Sequence, residues 1–213
     1  MTRRIRADGT ESVVSLDERY AAVSGFVLTL NVPLDIRVHF ETAKNLYLYA
    51  WFVYRFYPVA EQQALATLEF ALRERLALLF PDRFGSSTKQ GSSLSRLLKS
   101  ARKEKLVSNS GLRCTERSAH QRAHDRVSME LMRKMHASGL SEMPFDDSLV
   151  EPTPEDYAHD WLETFTETLP FVRNTYAHGS FMLHPNVLGT FEIVTDLVNQ
   201  LYPADALATG SSN

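Results

Sequence analysis

Apolar residues recur every three to four positions along most of this chain, and that spacing limits what it can fold into. The clearest case runs over residues 58–79. Its apolar positions are Leu65, Leu68, Ala71 or Leu72, Leu76 and Leu79. A period near 3.6 residues is typical of an amphipathic α-helix that buries one face. No segment alternates apolar and polar residues as a half-exposed strand would, so the predicted fold class is all-α.

Prolines and capping residues divide the chain into successive predicted helices. We expect helices at about 15–30, 35–57, 58–79, 94–106, 116–137, 154–176 and 185–201. Asp35 is the expected start of the second helix and Pro58 its end, which makes the apolar run 46–57 a buried helix. Thr153 is the predicted N-cap of the helix that follows it, and Pro170 is expected to kink that helix.

The length of 213 residues fits one domain, or one domain with an insertion. We expect a partly flexible N-terminal extension at 1–33 and a helical domain at 34–202. Residues 82–153 are a possible insertion into that domain, and 203–213 are expected to form a disordered tail.

Composition narrows the expected location and chemistry. The single cysteine, Cys114, excludes an intramolecular disulfide and any Cys-rich zinc module, and it fits a reducing cytoplasm. The N-terminus lacks an apolar secretory segment, and the run 46–57 is too short to span a bilayer. His120 and His124 lie one helical turn apart, but no third ligand is identifiable, so we expect no metal and no cofactor. The predicted location is cytoplasmic, without membrane contact.

Charge is divided sharply along the chain. Residues 92–136 carry 11 Lys and Arg against 4 Asp and Glu, whereas residues 137–213 carry one Arg against 12 acidic residues. A compact basic block is typical of a surface that binds a polyanion such as RNA. The candidate nucleic-acid-binding residues are Lys99, Arg102, Lys103, Arg113, Arg117, Arg122 and Arg126. Alternatively, the same side chains form solvated helix faces or pair with the acidic C-terminal third.

The one cation of the acidic third belongs to the stretch Arg173-Asn174-Thr175-Tyr176-Ala177-His178-Gly179. Asn174 and His178 are four residues apart, so at the end of a helix their side chains share a face, which Arg173 flanks. An arginine binds phosphate in a planar fork, and a histidine can transfer protons near neutral pH. The three residues are therefore candidate catalytic residues for phosphodiester chemistry without a metal.

A supporting role is open to the predicted helix 58–79. Glu69 and Arg73 lie one turn apart on it. The carboxylate could approach the cleft and orient His178, or it could simply form a surface ion pair with Arg73.

The Arg-Asn-x3-His arrangement at the end of an apolar helix resembles the signature of the HEPN family, over about residues 156–202. The resemblance implies a HEPN-like helical bundle, here with an additional basic helical segment. It also implies a homodimer in which two motifs form one composite cleft. That cleft would cleave RNA by attack of the 2′-hydroxyl and leave a 2′,3′-cyclic phosphate without a metal. Many members of the family are toxins or antiviral effectors, so an antitoxin or a defence-system protein is an implied partner.

A second interpretation is that the chain has the HEPN-like fold but no catalytic activity. Some HEPN-like proteins are non-catalytic modules, so this chain could instead bind nucleic acid or a partner protein through its basic segment. The sequence leaves both interpretations open.

Overall fold

Helices make up most of the chain in the computed structural model, which describes residues 3–5, 11–85, 93–177 and 187–204. The helices are α1 Leu16–Ser24, α2 Leu34–Tyr49, α3 Phe56–Leu79, α4 Pro81–Phe84, α5 Leu94–Lys103, α6 Arg113–Ser138, α7 Trp161–Ala177 and α8 Leu188–Leu201. Helices carry most of the described hydrophobic core, so the predicted all-α class is confirmed. The predicted disordered tail lies, from residue 205 onward, outside the described residues.

Two short strands precede the helices, in a segment predicted to be flexible. β1 (Arg3–Ile5) pairs antiparallel with β2 (Glu11–Val13), and Arg3 lies opposite Val13 in the register. Three residues are too few for an alternating pattern to show, which is why the sequence did not indicate these strands.

The long helix α3 pairs with α2 as an antiparallel hairpin. His39 Nδ1 lies 3.1 Å from Thr67 Oγ1 and 3.0 Å from the Gln63 side-chain nitrogen, while Tyr47 packs edge-on against Tyr57. Positions late in α2 therefore face positions early in α3, as an antiparallel pair requires. The short connection expected at Pro58 is compatible with either a hairpin or one kinked rod, and the structure has the hairpin.

The boundary between these helices differs from the prediction. α2 ends at Tyr49 rather than at Tyr57, and Pro58 lies in the first turn of α3. A proline is tolerated there because the first backbone N–H groups of a helix have no intrahelical acceptor. The start was also misplaced, since Pro33 rather than Asp35 is the N-cap of α2.

The apolar run 46–57 is consequently not one buried helix. Its centre forms the turn between α2 and α3, where Phe52 is 69 % exposed and Val53 is 46 % exposed. The run reaches the core through Tyr47, Ala50 and Tyr57. The hydrophobic run was correctly recognised, but hydrophobicity alone does not distinguish a buried helix from an aromatic turn.

The core lies between α3 and the helices packed around it. Leu65, Leu68, Leu72 and Leu76 of α3 are fully buried, as their spacing predicts, whereas Leu79 is 40 % exposed at the helix end. α3 contacts α2, α5, α7 and α8. α5 also belongs to this core, through Leu94, Leu97, Leu98 and Ala101.

α1 is attached to the hairpin by a buried arginine. The Arg19 guanidinium lies between 5.3 and 5.8 Å from the ring centres of Tyr47, Trp51 and Tyr57. It also donates a hydrogen bond to the Tyr57 hydroxyl. Cations over aromatic faces are attracted by the ring quadrupole, so this contact holds α1 where apolar burial is limited.

The start of α7 was predicted seven residues too early because two capping arrangements compete. The structure has a turn after Thr153, in which Asp156 Oδ2 accepts hydrogen bonds from the Thr153 backbone N–H at 2.8 Å and hydroxyl at 2.9 Å. The helix itself begins at Trp161, where Asp160 Oδ1 accepts from the Glu163 backbone N–H at 3.0 Å. Asp160 therefore caps α7 in place of Thr153. The helix is continuous through Pro170.

The Asp156 turn leads to a prediction about acid sensitivity. Hydrogen bonds from the Thr153 backbone and from Arg126 lower the pKa of Asp156 to about 2 from its ordinary 3.8. Because this pKa is lower in the folded state than in the unfolded state, the ionised Asp156 carboxylate stabilises the fold fully above about pH 4. That contribution is lost as the pH falls from 3.8 towards 2. We expect Asp156→Asn to lower the melting temperature at pH 7 by more than at pH 3, measured by circular dichroism. Asp147→Asn, at a side chain that is 86 % exposed, is the control. An Asp156→Asn effect of equal size at both pH values would contradict the prediction.

Candidate functional site

Arg173 and Asn174 lie near the end of α7, where this helix crosses α3. Glu69 of α3 is buried and receives two arginines. Arg73 donates to its Oε1, and the Arg173 Nη2 lies 3.4 Å from its Oε2. Both arginines remain partly exposed, Arg73 at 53 % and Arg173 at 41 % of the side chain. One buried carboxylate thus holds two guanidinium groups at the surface.

These side chains border an open cleft of about 250 Å³. Its described lining consists of Glu69, Arg73, Ser93, Leu94, Pro170, Arg173 and Asn174. Two guanidinium groups share one carboxylate, so the lining has a net positive charge. Such a cleft favours an anion, and the planar fork of arginine suits the oxygens of a phosphate.

Asn174 extends the polar lining. Its Oδ1 lies 3.3 Å from Arg173 Nη1, so its side-chain carbonyl accepts from the neighbouring guanidinium. This contact orients the amide nitrogen, a hydrogen-bond donor, away from Arg173. The residue is exposed and can reach a ligand in the cleft.

For Glu69 the sequence left two roles open, orientation of His178 or a surface ion pair with Arg73. The ion pair with Arg73 is present, and the same carboxylate also approaches Arg173 of the motif. The two alternatives are therefore not exclusive. Glu69 contacts the arginine of the motif; the orientation of His178 by Glu69 stays a prediction.

His178 itself lies outside the described residues, as does Gly179. α7 is helical up to Ala177. The position of the imidazole relative to Arg173 and Asn174 is therefore still the sequence prediction.

The last turn of α7 is fixed by the carboxylate of Glu61, which was not among the residues predicted from the sequence. Glu61 is buried on α3 and accepts hydrogen bonds from the Tyr176 hydroxyl at 2.7 Å and from Thr190 Oγ1 at 2.5 Å. Burial, and then the Glu61 carboxylate, raise the pKa of Tyr176 well above its usual range. Glu61 and Glu69 are two helical turns apart on one face of α3. That spacing of two carboxylates on an otherwise apolar face was the available signal.

Most of the predicted nucleic-acid-binding arginines are paired with the acidic third of the chain. Arg113 Nε lies 2.7 Å from Asp196 Oδ1, and Arg117 Nη2 lies 2.7 Å from Glu192 Oε1. Both carboxylates belong to α8, so the start of α6 is tied to α8 by charge.

Two further arginines pair with carboxylates of the same acidic third. Arg126 pairs with Asp156 at 2.8 Å, and Arg102 pairs with Asp160 at 2.5 Å and also with Glu163. Arg122 instead donates to the backbone carbonyl of Asp156 at 2.6 Å. Pairing with the acidic segment was the alternative interpretation of the basic block, and four of the five predicted arginines have that arrangement.

Lys99 and Lys103 differ from those arginines. Both are exposed on α5, and neither forms an ion pair with any described residue. Of the seven predicted binding residues, these two lysines keep their charge available at the surface.

Other classes of site have less support in the described residues. No group of three His, Cys, Asp or Glu side chains there could hold a metal ion. Cys114 is buried, and burial raises the pKa of its thiol, which disfavours the reactive thiolate. None of the described helices has the length and apolar character needed to cross a bilayer.

No protein-family model, no curated protein and no solved structure matches this chain.

Proposed function

We propose that this chain is a metal-independent endoribonuclease whose active cleft is formed at the end of α7. The observation that supports it best is the contact of Glu69 with both Arg73 and Arg173 at an open, positively charged cleft. A carboxylate that fixes two guanidinium groups before substrate arrives is a preorganised phosphate site.

The proposed reaction is transesterification within the RNA. The ribose 2′-oxygen attacks the adjacent phosphorus and loses its proton to a base, while the 5′-oxygen leaves and takes up a proton from an acid. The products are a 2′,3′-cyclic phosphate and a free 5′-hydroxyl. Atoms and charges balance without a metal or any co-reactant.

Each side chain has a distinct proposed role. Arg173 stabilises the charge that builds on the non-bridging phosphate oxygens, and Asn174 donates a hydrogen bond to the same group. His178 transfers a proton. Glu69 positions Arg173 without touching the substrate.

A single imidazole can serve one proton transfer at a time, whereas the reaction needs two. We therefore propose that two copies of the chain contribute to one cleft, so that two His178 side chains act as base and acid. This homodimer rests on the resemblance to HEPN proteins and on the stoichiometry of the proton transfers.

The reaction products test the proposal directly. Single-stranded RNA incubated with the purified chain and excess EDTA should be cut into fragments that end in a 2′,3′-cyclic phosphate, detected by mass spectrometry. The same strand with 2′-O-methyl riboses should remain intact, because it lacks the attacking hydroxyl. Cleavage that EDTA stops, or fragments with 3′-hydroxyl ends, would exclude this mechanism. Binding of RNA without cleavage would favour the non-catalytic module.

A further inference from the structure

Helix α5 presents a continuous basic face to solvent. A groove of about 330 Å³ runs along it, and its described lining consists of Ser93, Ser95, Arg96, Lys99, Ser100 and Lys103. The opposite face of the helix is buried in the core through Leu94, Leu97, Leu98 and Ala101. Since residues advance by 100° around a helix, the cations at 96, 99 and 103 fall in one stripe opposite that core.

This groove adjoins the proposed active cleft. Ser93, the N-cap of α5, lines both cavities, and α5 packs directly against α7. A chain of phosphates that occupies the cleft at Arg173 and passes Ser93 would therefore reach the basic face of α5.

The charges of Lys99 and Lys103 on this face are available, in contrast to those of the arginines at the start of α6. Arg113 and Arg117 are each held by a carboxylate of α8, whereas Lys99 and Lys103 form no ion pair with any described residue. An arginine held by a carboxylate of its own offers a phosphate no net charge unless that partner is displaced. The two arginines of the cleft differ, because they share the single carboxylate of Glu69 and keep a net positive charge. An unpaired, exposed lysine releases its counterions and those of the phosphate when it binds.

We propose that the basic face of α5 binds the sugar-phosphate backbone of a single-stranded RNA on one side of the cleaved linkage. The inference rests on the proposed function for the position of the linkage. The stripe from Arg96 to Lys103 covers about 10 Å, which corresponds to about three nucleotides of a stacked strand. The described lining contains cations and hydroxyl groups but no aromatic ring, so it reads the backbone and not the bases.

The test measures binding in the absence of cleavage, so that it does not depend on catalysis. A fluorescent 2′-O-methyl RNA of twelve or so nucleotides is titrated with the full chain at several salt concentrations, and anisotropy gives the affinity. Changing Lys99→Gln together with Lys103→Gln should weaken binding by about ten- to thirtyfold at 0.1 M salt. The slope of log affinity against log salt should become shallower by about 1.4, since each lost phosphate contact on a single strand accounts for about 0.7.

The matched control is Arg55→Gln together with Arg133→Gln, at two arginines that form no ion pair with any described residue. It removes the same charge at two exposed positions away from the α5 groove. We expect less than a threefold change in affinity. An equal loss in both double variants would mean that only net charge matters, and no loss in the α5 variant would overturn the proposal.

A second measurement separates this inference from the proposed function. Shortening the RNA from either end should weaken binding to the unaltered chain, and the Lys99 and Lys103 variant should lose this dependence at one of the two ends. If binding behaves in this way but unmodified RNA is never cleaved, the α5 surface stands and the nuclease proposal fails. If RNA is cleaved but neither lysine affects affinity or length dependence, the nuclease proposal stands and this inference fails.

Discussion

Replacing His178 or Arg173 with alanine is expected to lower the rate of RNA cleavage by at least about a hundredfold. Loss of a positioned general acid or base typically costs two to four orders of magnitude, and loss of a donor to a developing oxyanion costs two to three. Arg173 lies near the end of α7 with its side chain 41 % exposed, so its replacement leaves the hydrophobic core untouched. The measurement is the single-turnover cleavage rate of a labelled RNA, with circular dichroism to show that the helical content is kept.

Two further variants make this result specific. Arg173→Lys keeps the charge but loses the planar fork, so we expect activity between that of the alanine variant and that of the unaltered chain. Arg133→Ala removes an exposed arginine of α6 that does not line the cleft, and it should retain full activity. Cleavage that persists at the normal rate in His178→Ala would show that a contaminating nuclease, or another residue, performs the reaction.

Helix interiors in this chain follow from the sequence, whereas helix ends do not. Leu65, Leu68, Leu72 and Leu76 are buried as their period predicts, because a long helix has one way to cover such a stripe. The ends depend on which polar side chain captures the first backbone N–H groups. Thr153 was a chemically valid cap for α7, but its N–H and hydroxyl instead bond to Asp156, and Asp160 caps the helix. Both choices are local hydrogen bonds of similar strength, so the sequence cannot rank them.

The contacts within the candidate site also could not be predicted from the sequence. The Arg173 side chain meets Glu69 only after α3 and α7 have packed together, and the two residues lie far apart in sequence. The sequence indicates each residue as a candidate site residue, but it does not indicate that the two side chains are in contact. For the basic block at residues 92–136, the sequence allows two interpretations, RNA binding or internal pairing, because charge alone does not specify a partner. The fold divides the block between them, with paired arginines on α6 and exposed lysines on α5.

Phe191→Ala is expected to cause the largest loss of stability among single substitutions in α8. The ring is fully buried and meets three other rings edge-on, with centre distances of 6.2 Å to Phe26, 5.8 Å to Phe40 and 5.9 Å to Tyr47. It thereby joins α8 to α2 and to the segment after α1. Truncating a buried phenylalanine typically costs about 3–5 kcal/mol, from the lost transfer free energy and the cavity left behind. Aromatic pairing adds to this cost.

A loss of that size is a large part of the free energy of unfolding of a typical domain, about 5–15 kcal/mol. We expect the midpoint of thermal unfolding to fall by about 10 °C, measured by circular dichroism. Phe52→Ala is the matched control, since it deletes the same ring where it is 69 % exposed, and it should change the stability by less than about 0.5 kcal/mol. Equal losses from the two substitutions would contradict the packing of α8 against α2. Such a result would also remove the support for Thr190, one residue earlier, which donates to Glu61 beneath the end of α7.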